Sequence, residues 1–272
     1  MFTDRCSLNV WTGVRTRLAR VSRATIATDD QTCYNDSLMP EKTQLLTTVA
    51  DIRQLASNVK HFRLAFEQPF HFTAGQFVIA NVPHQSQLVK RAYSIASPPH
   101  ETGHVELCIQ IMEHGIASTY FDHLQLGDEV SLTGPHGTFL MQQPVDYDPV
   151  FLATGTGIAP LRSMIRQLFH DGTARQAWLF LGVRYEHAIL YDEEFQVLKR
   201  AHENFWYVPT VSRPQQWRGE VGYVQEKFKK FIPVWDDKQL FLCGWTEIVK
   251  KMAADLEAHG VPKAKIHYEE WG

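Results

Sequence analysis

The spacing of apolar and polar residues changes its period once along this chain, near Asp148. Upstream, from Thr43 to about Gln143, short runs alternate apolar and polar residues and are divided by turns rich in Pro, Gly, Asn and His. Residues 45–52, 59–66, 76–82, 105–111 and 129–132 are the expected strands, because alternate side chains of a strand face opposite sides. Their even spacing predicts a small antiparallel barrel. One helix is expected over 116–124, after the Gly115 turn. Downstream, PVFLATGTGIAPLRSMIRQLF reads as an apolar strand, a glycine turn and an amphipathic helix. AWLFLGV, FWYVPTVS and QLFLCGW are further buried strands. YDEEFQVLKRAH, VGYVQEKFKKF and residues 248–258 are helices, and the chain closes on KIHYEEW. Strands alternating with helices predict a parallel α/β sheet. The expected fold is therefore two-domain: an N-terminal antiparallel β-barrel over 43–146 and a C-terminal α/β parallel-sheet domain over 147–272, joined at residues 144–149.

The first 42 residues stand apart. Arg5, Arg15, Arg17, Arg20 and Arg23 are accompanied by a single acid, Asp4, before Asp29. Such a tail reads as disordered, as a transit-like peptide, or as the product of a start placed ahead of Met39.

Composition narrows the function classes. At 44% hydrophobic and 21% charged, the 272 residues are ordinary for a soluble globular protein. A formal charge of −3 gives no global attraction to nucleic acid or anionic lipid. No apolar run reaches the length of a membrane span. Cysteines 6, 33, 108 and 243 have no metal or iron–sulfur spacing, so no metal site is expected and an iron–sulfur partner is expected to be a separate protein. They point to a reducing compartment, the cytoplasm, with a mitochondrial or plastid location as the alternative if 1–42 is a transit peptide. The 13 histidines lack the H-E-x-x-H pattern of zinc hydrolases.

Three motifs carry chemistry. Gly155-Thr156-Gly157 lies between an expected strand and helix, where a tight turn and free helix N–H groups suit a dinucleotide pyrophosphate. Pro160 fits the first helical turn, where no backbone donor is needed. In Arg91-Ala92-Tyr93-Ser94, an arginine fork can clamp phosphate, while Tyr93 shares its strand face and can stack on a flat ring. Gly115-Ile116-Ala117-Ser118 opens the upstream helix and offers a second phosphate turn. Alone, each has a purely structural explanation: packing, a surface strand, an ordinary cap. Together they place one dinucleotide on each domain, with reactive rings meeting between, which is an arrangement for hydride transfer.

These residues resemble the plant-type ferredoxin–NADP⁺ reductases and their relatives over about residues 43–272. RAYSIAS at 91–97 resembles the family's flavin strand, LCIQ at 107–110 its adenine-side strand, and GIAS at 115–118 its pyrophosphate turn. GPHGTF at 134–139 resembles the end of its barrel, and FLATGTGIAPLRSM at 151–164 its nicotinamide-domain turn. LGVR, VSR, GYVQ and LCGW then follow in the family's order. The resemblance implies FAD, with NADPH or NADH as hydride donor, and onward transfer to a small electron carrier such as ferredoxin. It implies that Arg91 and Ala92 lie along the FAD, that Tyr93 stacks on the isoalloxazine and that Ser94 bonds near N5. Cys108, Ile109 and Gln110 would lie on the adenine side; Gly115, Ile116, Ala117 and Ser118 would hold the pyrophosphate. Gly155, Thr156, Gly157 and Pro160 would meet the nicotinamide dinucleotide, with Cys243 and Gly244 beside its ring. Glu269 matches the family's C-terminal acid, and Trp271 its terminal aromatic. Ser212, Arg213 and Tyr223 resemble its 2′-phosphate pocket, although Val221 replaces a lysine there. A flavin reductase and a non-catalytic nucleotide-binding subunit are the competing readings.

Overall fold

The computed structural model describes residues 43–232 and 234–271; the arginine-rich segment at 1–42 lies outside them. The first half contains strands β1 (Thr43–Ala56), β2 (Val59–Ala65), β3 (Phe77–His84), β4 (Gln87–Ser94), β5 (His104–Gln110) and β6 (Glu129–His136), with helix α1 (Ile116–His123) between β5 and β6. They form one antiparallel sheet in the order β4-β3-β6-β1-β2-β5. An isolated bridge between Ile95 and Leu107 brings the end of β4 against β5, so the sheet curls into the expected barrel. Alternate residues fill its interior, including Leu45, Phe62, Leu64, Val78, Ala80, Leu107 and Leu132. The α1 helix plugs one end with Phe121, whose ring meets Phe62 and Tyr93 edge-on at 5.3 Å and 5.2 Å.

The β4 strand extends the expected motif strand at 91–94 back to Gln87. Its first six residues are mostly exposed, as befits a sheet edge, so no two-residue apolar period marks it. A tight turn with Gln85 at φ 54° folds it onto β3 and sets Phe77 opposite Ser94.

The second half comprises β7 (Asp148–Thr154), α2 (Ile158–His170), β8 (Ala177–Val183), α3 (Asp192–Ala201), β9 (Phe205–Val211), β10 (Glu220–Val221), α4 (Val224–Phe231), β11 (Lys238–Trp245), α5 (Thr246–Ala258) and β12 (Ile266–Trp271). Its sheet is parallel, in the order β10-β9-β8-β7-β11-β12. The helix expected from Val221 begins instead at Val224, because Gly222 at φ 114° ends the short β10 strand with a turn. Buried strands β7, β8 and β11 carry nearly continuous apolar runs, as strands covered on both faces must.

Two features of this sheet position the site. The chain winds from β7 outward through β8 to β10, then returns to the other side of β7 as β11 and β12. Such a reversal opens a crevice beyond the carboxyl ends of the two diverging strands. Here those ends are Thr154 and Trp245. The β12 strand also runs in register with β11, pairing Cys243 with Glu269 and Trp245 with Trp271.

Residues 40–272 form one compact unit, and a buried polar seam joins the two sheets. Arg162 on α2 is 3% exposed. It donates to Ala96 O (2.7 Å), Glu106 Oε2 (2.7 Å) and both carboxylate oxygens of Glu194 (3.0 and 2.9 Å). Its guanidinium lies 4.4 Å over the Tyr191 ring. Arg63 bonds the other oxygen of Glu106 at 2.7 Å, and Ser163 Oγ donates to Ser97 O at 2.7 Å. No described helix is long and apolar enough to cross a membrane.

Candidate functional site

A cavity of about 750 Å³ opens between β4, the β5–α1 turn and the ends of β11 and β12. A second, of about 690 Å³, spreads over the carboxyl ends of β7, β8 and β9. Both fall in the roughly 300–1,000 Å³ range of small-molecule sites. They share a wall of four residues: Gln110, Thr156, Trp245 and Trp271.

The first cavity gathers Arg91, Ala92, Tyr93, Ser94, Cys108, Gln110, Gly115, Ile116, Ala117 and Ser118. Ile109 is fully buried in the barrel core and lines neither cavity. The Arg91 guanidinium meets only the Lys90 carbonyl (2.8 Å) and has no carboxylate partner among the described residues. It is a free cation at a cavity edge. Gly115 caps α1 without a side-chain bond, so the first N–H groups of that helix are open to an acceptor. A Cβ at Gly115 would sit 2.9 Å from Ser118 Oγ, crowding this cradle. A free arginine and open helix donors on one rim are groups whose chemistry suits an anion such as a diphosphate. Half-buried Tyr93 offers its ring to the same space, and burial pushes its hydroxyl up to about 12.

At the inner end of this cavity, Ser94 Oγ donates to Glu269 Oε2 at 3.0 Å. The bond ties the barrel's edge strand to β12 across 175 residues of sequence. Burial raises the pKa of Glu269, and the Ser94 hydroxyl lowers it in part. The pair thus combines a hydroxyl with a carboxyl group whose proton is held more firmly than usual, beside a flat-ring cavity. Glu270, on the opposite face of β12, also lines it; its Oε1 pairs with Lys250 at 3.4 Å, and its buried Oε2 has no hydrogen-bond partner among the described residues.

The second cavity is built around the 155–157 turn. Gly155 takes φ 53°, in the left-handed region glycine tolerates. Gly157 serves packing instead: a Cβ there would lie 2.2 Å from the Cys243 carbonyl oxygen. Gly157 and Pro160 are buried and line neither cavity, whereas Gly155 and Thr156 do face the space. Gly244, at φ 153°, leaves room for Thr154, whose buried Oγ1 has no partner among the described residues. Cys243 is fully buried and lines neither cavity, and burial holds its thiol well above the usual range. Ser212, Arg213 and Tyr223 all line the far end.

Four residues that motif spacing did not single out join them. Phe77 and Trp245 enter the first cavity; Arg184 and Lys251 enter the second. Phe77 is brought in by its pairing with Ser94, and Trp245 by its pairing with Trp271, so strand register was the missing signal. Arg184 follows β8 directly and its carbonyl accepts from Arg213 N at 2.8 Å, which sets two arginines side by side. Neither they nor Lys251 has a carboxylate partner among the described residues.

Comparisons with known proteins match the two halves to separate family models. Residues 46–141 match the family model described as the oxidoreductase FAD-binding domain, and residues 151–254 the oxidoreductase NAD-binding domain. Ferredoxin–NADP reductase B of Sorangium cellulosum is 34% identical over 230 residues, covering 81% of this chain and 94% of that protein. The phenol hydroxylase P5 protein of Acinetobacter pittii is 33% identical, covering 82% of this chain but only 64% of its own longer sequence. Among solved structures, the Amycolatopsis cytochrome P450 reductase GcoB superposes with a TM-score of 0.79 at 27% identity, over 85% of this chain and 70% of that one.

Proposed function

This chain belongs to the ferredoxin reductase-type family of FAD- and NAD-binding oxidoreductases, and from that premise we propose that it takes hydride from NADPH onto FAD and passes the electrons to a separate carrier protein. One observation carries the reading. Two dinucleotide-sized cavities meet at a wall holding Thr156 and Trp271, and the Ser94–Glu269 bond lines the first of them, two residues along β12 from Trp271.

FAD, held by these residues, would supply the redox chemistry, which couples a two-electron donor to one-electron acceptors. The chain supplies position. Arg91 and the open N-terminus of α1 hold the diphosphate of the first ligand, and Tyr93 supports its flat ring. Thr156, projecting between the cavities, aligns the second ligand's ring with the first. Ser94 would turn its one hydroxyl proton toward the reacting ring when a protonated Glu269 donates to Oγ, so Glu269 both orients that hydroxyl and stores a proton. Trp271, which lines both cavities, would cover the flat ring and give way to the nicotinamide.

NADPH is favoured over NADH by charge. Arg184 and Arg213 are adjacent and unpaired, Lys251 shares their cavity, and Val221 supplies no cation of its own. Unpaired guanidinium forks at a dinucleotide site suit a 2′-phosphate. Two buried free thiols, Cys108 and Cys243, support a reducing, cytoplasmic setting, while the organellar alternative turns on residues 1–42.

Purified protein tests the proposal directly. A yellow protein whose absorbance bleaches faster with NADPH than with NADH, and then reduces added ferredoxin, is the expected result. A colourless protein that turns over free riboflavin would support a flavin reductase. A yellow protein that neither nucleotide bleaches would mark a non-catalytic subunit.

A further inference from the structure

Trp245 breaks a local rule. It stands at the N-cap of α5, where Ser, Thr, Asp or Asn would bond the first helical N–H groups, and it makes no cap bond. Its indole is also 49% exposed. Residues that forgo a local preference without a compensating contact tend to mark functional positions. Trp245 is one of the four residues shared by the two cavities. In-register pairing with Trp271 puts both indoles on one face of the sheet, the face that also carries Cys243 and Glu269. The two side chains therefore leave neighbouring strands on the same face, where the cavities join.

We propose that Trp245 is a second aromatic positioning residue, which stacks against the nicotinamide half of the dinucleotide as that half passes from the second cavity into the first. The inference rests on the nucleotide assignment made above. Trp271 guards the flat-ring pocket from within; Trp245 covers the incoming ring from its open side. The exposed indole and the absent cap bond then both have an explanation, since the ligand supplies the missing contact. Ile248 and Lys251, one and two turns along α5, continue the same wall toward the phosphate-binding end.

The test compares two probes on the flavin-loaded protein by calorimetry: NADP⁺, and 2′-phospho-AMP, which keeps the phosphate end but lacks the nicotinamide. Trp245→Ala should weaken NADP⁺ roughly three- to tenfold, the value of one aromatic stack, and leave 2′-phospho-AMP unchanged. Trp245→Phe should recover most of the loss. Equal weakening of both probes, or no change in either, would overturn the proposal. If wild-type protein bound no 2′-phospho-AMP, the NADPH assignment itself would fall. A thermal unfolding midpoint within about 2 °C of wild type in both variants guards against general misfolding.

Discussion

Replacing Glu106 with Gln should lower the stability of this protein by about 3 kcal/mol. The carboxylate is 1% exposed and sits where three cations converge. It accepts from Arg162 at 2.7 Å and Arg63 at 2.7 Å, and Arg166 Nη1 lies at 3.7 Å. Gln keeps the volume but removes the charge. Arg162, almost wholly buried, then keeps Glu194, the Ala96 carbonyl and the Tyr191 ring, with a neutral amide oxygen in place of the carboxylate. Removing one partner of a buried ion pair costs about 3–5 kcal/mol, and the surviving Glu194 bonds place this case at the low end. For a domain of this size, that corresponds to a fall in Tm of roughly 6–12 °C. The sign of the pH dependence follows from the charges. Burial alone would raise the Glu106 pKa, but contact with His61 and the bonds from Arg162 and Arg63 more than offset it, leaving the group well below the usual carboxylate range. Its stabilisation is thus full above the unfolded value of about 4.3 and drains away as pH falls below it. His61, whose pKa burial lowers, adds a loss of the same sign that begins near pH 6.5. Thermal scans from pH 7 to pH 3 should show the wild type losing stability faster than Glu106→Gln below about pH 4.3. A Tm within about 2 °C of wild type at pH 7, or parallel pH curves, would refute the claim that this carboxylate locks the two sheets together.

Further outcomes follow from the site. Ser94→Ala should keep its flavin but slow bleaching by NADPH about 100-fold in stopped-flow, the scale expected when a reacting group loses its alignment. Arg91→Ala deletes a charge-assisted phosphate contact worth about 1.5–3 kcal/mol, so FAD should dissociate roughly ten- to a hundredfold more readily during gel filtration. The two glycines of the 155–157 turn should fail differently. Gly155→Ala, with open space around its Cβ, carries only left-handed strain of about 1–2 kcal/mol. Gly157→Ala drives a methyl into the Cys243 carbonyl and should cost more in urea titration, together with nucleotide binding.

The fold was legible wherever one period dominated. Strands such as AWLFLGV and the 158–170 helix are apolar in patterns only one element satisfies, and they appear within a residue or two of their expected bounds. The hairpin strand β4 was readable only through its motif, because an exposed edge imposes no apolar period on residues 87–90. The start of α4 was misplaced because Gly222 and Tyr223 continue an apolar rhythm while Gly222 turns the backbone out of the helix. Val221, expected inside that helix, became the end of a strand.

The site divides along the same line. Local chemistry can be read from neighbours in sequence: Arg91 beside Tyr93 and Ser94, or a glycine ahead of a helix. Two of its central features depend instead on strand pairing across long separations. Ser94 meets Glu269 because β4 ends where β12 arrives. Trp245 meets Trp271 because two parallel strands share a register, which neither strand specifies alone. A one-residue slip of β12 would turn Glu269 and Trp271 to the opposite face and leave Ser94 without its acceptor. That register is held by Ile266 in the apolar core beneath the sheet and by His267, whose ring stacks on Phe241 at 5.1 Å and whose Nε2 bonds Gln239 at 2.9 Å. The residues that place the acid in the first cavity and the tryptophan at the cavity junction are therefore a core isoleucine and a half-buried histidine at the far end of β12, without redox chemistry of their own, and the order of motifs along the chain gives no sign of them.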